Sequence, residues 1–196
     1  MDSSTWSIAH GCGGICERGG MTEKEQILEA LAAGRAALGE ALAGVDEEMA
    51  ARKPAGCGWT IVECVEHMAV SERYLLSRLR AATKQDQPPV SPEREAKIAA
   101  RAANRERKIE APDVALPAGQ FGSLSEALGA LDATRAEVVR WVEECGDDWR
   151  CMATDHPLFA GPVNCYETLV MIAAHPGRHA QQIAEIREGF GTELEG

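Results

Sequence analysis

Four long runs of helical periodicity, each opened by its own start signal, constrain this chain more than any other feature. Thr22 with Glu25 and Thr60 with Glu63 have the spacing of a capping box, as do Ser123 with Glu126; Asn164 with Glu167 is its asparagine counterpart. In each pair the first side chain can accept from an N–H of the first turn while the acid reaches back to the cap, so orphan donors are satisfied at both places. The first run extends from about residue 23 to 44, with Ile27, Leu28, Leu31, Leu38 and Leu42 on one face. The second runs from Thr60 to about Ala82. The third, from Ser123, carries Leu128, Leu131, Val138, Val139 and Val142, and the fourth continues from Asn164 to about Glu188, before Gly189 and Gly191. Apolar residues at such spacing form a stripe that must be buried against other helices. No segment alternates for long enough to predict a strand. The expectation is an all-α four-helix bundle with a long crossover between helices 2 and 3.

That crossover, residues 83–122, holds Pro88, Pro89, Pro92, Pro112 and Pro117. Within it Ser91-Pro92 reads as a cap followed by proline at the first helical position, predicting a short helix to about Lys108. Basic residues outnumber acidic ones from Arg94 to Lys108, which reads as a solvated helix face. Residues 1–21 are rich in Gly and Ser without periodicity, so a disordered tail is expected there, with the folded domain at 22–196. His10, Cys12 and Cys16 in the tail are too few to make a metal site by themselves.

Charge and composition remove several classes of function. The net charge of -11 lacks the positive surface that binding nucleic acid requires. No apolar run approaches the roughly 20 residues that span a bilayer, and the N-terminus lacks the pattern of a secretion signal, so a cytoplasmic protein is expected. Its 7 cysteines are odd in number and scattered, which suits free thiols rather than a disulfide framework. Cys64 and Cys165 fall near helix starts, where the dipole lowers a thiol pKa, but both are expected to be packing residues.

Histidines carry the most chemical information. His175 and His179 are one helical turn apart, on one edge of the apolar stripe of the last helix, with Pro176 between them. Such a pair is either packing or a bidentate platform for zinc, nickel, copper or ferrous iron. The glutamate of H-E-x-x-H is absent, so the stretch is not the zinc-protease motif. His67 lies on a mixed face of the second helix, beside Glu63, Cys64, Val70, Ser71 and Tyr74, and periodicity alone does not bring it to the pair. Pro176 removes the N–H that would bond the Ile172 carbonyl and is expected to bend the helix.

Trp59-Thr60-x-x-Glu63-x-x-x-His67, His175-x-x-x-His179-x-x-Gln182-Ile183 and the stretch from Asp155 to Glu167 together resemble the DinB/YfiT-like superfamily of four-helix bundles. The resemblance covers residues 22–189 and includes the crossover ending at Pro117 and Phe121. It implies that His67, His175 and His179 hold one divalent metal, zinc or nickel, with a coordination position left for a ligand. It also implies metal-dependent S-transfer of a low-molecular-weight thiol to an electrophile, as in detoxification. Glu63, one turn before His67, and His156, in the loop before the last helix, are then the candidate catalytic residues. The alternatives are a non-catalytic metal- or ligand-binding protein made under stress and a metal-dependent hydrolase. Relatives often dimerise, so a homodimer is a further expectation.

Overall fold

The computed structural model describes residues 20–54, 58–86, 90–105, 110–146, 148–156, 159 and 161–193. The tail with His10, Cys12 and Cys16 therefore lies outside the described residues. Four long helices form the body: α1 (Glu23–Ala41), α3 (Ile61–Ala81), α5 (Leu124–Glu144) and α6 (Cys165–Glu193). Between them lie the short α2 (Glu47–Ala51) and α4 (Pro92–Ala103), a 3-10 turn at Asp113–Ala115, and strands β1 (Thr83–Lys84), β2 (Met152–Asp155) and β3 (Pro162–Asn164).

The start signals act as their chemistry requires. Thr22 and Thr60 form complete capping boxes with Glu25 and Glu63. Asn164 Oδ1 accepts from the Glu167 N–H at 2.8 Å, while Glu167 Oε2 accepts from the Asn164 N–H at 3.0 Å. At the third start, Ser123 accepts from the Glu126 N–H, but the Glu126 carboxylate takes the N–H of Gly122 instead of the cap's. The spare donors there, Leu124 and Ser125 N–H, go to the Glu47 carboxylate at 2.6 and 3.0 Å. The five-residue α2 thus supplies the cap of a helix far along the chain.

Partner residues fix the helix directions. Arg135 of α5 donates to the Leu31 carbonyl of α1, Arg35 of α1 meets Asp132 of α5, and Lys24 reaches the carbonyls of Glu143 and Cys145, so α1 and α5 are antiparallel. Glu72 meets Arg135, and Arg80 meets Glu137, so α3 and α5 run the same way. Arg187 donates to the Ala41 carbonyl and Gly34 lies beside Ala173, making α1 and α6 parallel. The order is therefore up-down-down-up. Two apolar clusters fill it. One, near the strands, contains Leu31, Leu76, Leu79, Val138, Val142, Trp149 and Leu169; the other contains Leu38, Ile61, Val65, Met68, Leu131 and Ile183.

The strands correct the expectation of none. They form an antiparallel sheet in the order β1-β2-β3, with Thr83 opposite Ala153 and Ala153 opposite Asn164. Strands of two to four residues are too short to show a period. Their pairing instead satisfies backbone groups where the chain turns between the long helices. Helix bounds also shift. The first helix ends at Ala41, and Gly44 supplies a positive φ of 77° three residues on. The last continues to Glu193, through Gly189 and Gly191, with Phe190 buried in the second cluster.

Pro176 lies inside α6, which stays helical on both sides of it. Arg135 provides the missing partner. Its Nη2 donates to the Ile172 carbonyl at 3.4 Å, the group that Pro176 cannot reach with an N–H. The same guanidinium bonds both Glu72 oxygens at 2.6 and 2.7 Å and the Leu31 carbonyl at 2.7 Å. One side chain of α5 thereby ties together α1, α3 and α6. Gly34 completes this junction, because a Cβ there would lie 2.4 Å from the Ala173 carbonyl oxygen. Only glycine lets α1 approach α6 so closely at the turn that carries His175.

Candidate metal centre

The mixed face of α3 is not a surface. α6 and the crossover cover it, burying Cys64, His67, Val70 and Ser71. His67 is 6% exposed and His179 3%. His67 Nε2 lies 3.3 Å from His175 Nε2, which lies 2.9 Å from His179 Nε2. One ligand atom from each of these residues falls within 4.8 Å of the other two. The structure brings His67, which periodicity left apart, to the His175 and His179 pair.

Their outer nitrogens set the tautomers. His67 Nδ1–H donates to the Ala115 carbonyl at 2.6 Å, and His179 Nδ1–H donates to Gln182 Oε1 at 3.0 Å. A neutral ring that donates from Nδ1 presents a lone pair at Nε2. Burial is the main reason that all three rings are held neutral: it lowers the pKa of His67, takes that of His175 well below the usual value and takes that of His179 to about 3. Mutual repulsion among the rings, and Arg178 beside them, add to the shift.

This donor set fits a divalent cation. Two nitrogens bound at 2.0–2.1 Å to a tetrahedral zinc stand about 3.3 Å apart, close to the two separations found here. Oxygen acceptors on the outer nitrogens of two rings are the usual support of metal-binding histidines.

Glu66 is the supporting residue that sequence reasoning missed. Its buried Oε1 accepts from the N–H of Ala118 at 2.7 Å and of Gln120 at 3.0 Å. It thereby anchors the end of the crossover whose 3-10 turn presents the Ala115 carbonyl to His67. The pairing spans 52 and 54 residues of sequence, so no local pattern signals it.

A pocket of about 620 Å³ opens onto the triad. His156 lines it, edge-on to Tyr74 and Phe159, and burial lowers its pKa to about 4. Glu63 is placed otherwise. It caps α3 and pairs with Lys53 at 2.8 Å, and it is not among the residues lining the pocket. Cys64 and Cys165 are core residues whose thiols burial pushes up to about 12, against the dipole's pull. The basic stretch is not simply a solvated face: Arg101 and Arg105 line the pocket, and Arg94 pairs with the buried Glu167 at 3.2 Å. No helix among the described residues is long and apolar enough to cross a membrane.

The sequence profile of the DinB superfamily matches residues 30–183, a span that contains all three histidines. The chain belongs to the DinB superfamily. Among curated proteins it is similar to YuaE of Bacillus subtilis strain 168, an uncharacterised protein, with 26% identity over 147 residues that cover 75% of this chain and 88% of YuaE. Among solved structures it is similar to YfiT from Bacillus subtilis, described as a probable metal-dependent hydrolase with an unusual four-helix bundle topology. That likeness has a TM-score of 0.55 and 16% identity, covering 90% of this chain and 93% of YfiT. It establishes the fold shared with this DinB-like chain.

Proposed function

We propose that this DinB-superfamily chain is a divalent-metal-dependent enzyme that transfers a low-molecular-weight thiol to a small electrophile. One observation carries the reading: three Nε2 atoms, two of them on buried rings whose outer nitrogens are already committed to oxygen, converge at the floor of a pocket. Zinc or nickel suits three neutral imidazoles. A cation held there would supply Lewis acidity, which favours thiolate over thiol at neutral pH.

The chain's own part is to hold and shield. Ala115 and Gln182 keep two of the rings in register. Trp59, Tyr74, Ile98, Phe159 and Met171 form apolar walls that limit water around a nucleophile. Among the described residues lining the pocket the sole carboxylate is Glu110, which is exposed. Thiol transfer suits such a site, because the thiol gives its proton to solvent, its sulfur bonds the electrophilic carbon, and the leaving group departs with its electron pair. No strong general base is needed.

A second reading, hydrolysis of a small ester or amide, is favoured by the likeness to YfiT and by His156, a neutral base in the pocket. The test is turnover of 2-mercaptoethanol with a chloro-dinitrobenzene by zinc- or nickel-loaded protein. Thioether formation that chelation abolishes supports thiol transfer. Ester hydrolysis without thiol consumption supports the second reading, and saturable binding without turnover makes the protein a binding module.

A further inference from the structure

The pocket carries a charge pattern that the histidine triad does not require. The chain as a whole has a net charge of -11, yet the charged side chains lining this pocket are Arg101, Arg105 and Arg178 against Glu110. Arg178 is buried beside His179 and donates to the Asn104 carbonyl. Arg105 pairs with Glu185 at 2.9 Å. Arg101 differs from both. Its guanidinium carbon stands 5.5 Å from the centre of the Phe159 ring, and no carboxylate among the described residues pairs with it. Stacking on a ring braces an arginine while leaving its N–H groups available for a planar anion.

The donor set sharpens the point. Three neutral imidazoles leave the full double charge of a cation uncompensated, with no carboxylate among the ligands. Arginines around the same cavity add to that field, and low-dielectric walls strengthen it. An uncharged ligand would leave this field unanswered. One with an apolar body and an anionic end matches both Phe159 and Arg101.

We propose that Arg101 anchors an anion subsite, so that the small molecule taken by the pocket carries a carboxylate or similar group at the end facing α4. The proposal rests on the reading of this pocket as the substrate site and adds the class of substrate.

The test compares para-mercaptobenzoate with para-mercaptobenzamide, and benzoate with benzamide, by calorimetric titration of the zinc-loaded protein. Each pair differs in charge and little in shape. In the mercapto pair the thiol takes the metal and keeps the carboxylate from it; for benzoate, whose carboxylate could bind zinc directly, the Arg101 variants tell the subsite from the metal. The expected result is a preference for the anion of about tenfold in Kd, from charge-assisted hydrogen bonds, that shrinks as salt is added. Arg101→Met removes the preference and Arg101→Lys keeps part of it; Arg101 is exposed, so neither change disturbs the core. Equal affinities within each pair, or a preference undiminished in Arg101→Met, would overturn the proposal. If benzoate is preferred with the same dependence on Arg101 while neither thiol is turned over in a parallel assay with a chloro-dinitrobenzene, the subsite stands and thiol transfer falls. If both thiols bind and react equally well, thiol transfer stands and the subsite falls.

Discussion

Replacing Arg135 by methionine should destabilise the metal-free protein by about 3–5 kcal/mol, because it strands the Glu72 carboxylate inside the bundle. Glu72 is 4% exposed and Arg135 8%, so neither charge has water to fall back on. Burial already holds the Glu72 carboxyl above its usual pKa despite the two bonds from Arg135. Changing both residues to methionine removes the orphan charge and should recover much of the loss. It leaves one debt, the Ile172 carbonyl, which Pro176 cannot satisfy. Pro176→Ala restores an N–H at that place, so it should stabilise the double variant more than it stabilises the wild type. The difference is the value of one buried hydrogen bond, about 1 kcal/mol. Urea denaturation of the four proteins at neutral pH gives the coupling directly. If Pro176→Ala has the same effect in both backgrounds, within about 0.5 kcal/mol, Arg135 does not serve the proline and the reasoning is refuted.

Two further outcomes follow from the site. Glu66→Ala frees the crossover from α3 and with it the Ala115 carbonyl on His67, so metal affinity should fall about 10–100-fold; unchanged affinity in a chelator competition would show that the crossover does not orient the ring. His156 has a folded pKa of about 4 against an ordinary 6.5, so the unfolded chain binds a proton that the folded one refuses as pH drops between those values. The contribution of His156 should therefore be complete above about pH 6.5 and decline by roughly 3 kcal/mol on reaching pH 4, in addition to what the metal-free triad loses in the same direction. His156→Phe should flatten that part of the stability curve, and an unaltered slope would mean that other groups carry it.

The helices were legible because each records its own start. Cap and acid are three residues apart, and a repeating apolar stripe follows, so local chemistry and global burial agree. The short strands and α2 were not, since two to five residues leave no period and their partners lie far off in sequence. His175 and His179 were readable as a pair from one turn of helix. His67 was not readable as their third member, because a helical wheel marks apolar residues as buried and says nothing of polar ones buried by a crossover. The three motifs that resemble the family supplied what periodicity could not. Pro176 looked like a defect for a related reason: its compensation is Arg135, 41 positions away, and Gly34 on another helix. Arg101 was hidden in a stretch whose charge pattern suggested plain solvation.

The most direct test of the three-histidine centre is metal content by mass spectrometry, on protein purified without an affinity tag and reloaded with zinc or nickel. Wild type is compared with His67→Ala, His175→Ala and His179→Ala. The arrangement predicts about one ion per chain in the wild type and its loss after dialysis in each variant, since two imidazoles hold a divalent ion far less tightly than three. An ion retained in His67→Ala, or none bound by the wild type, would contradict it.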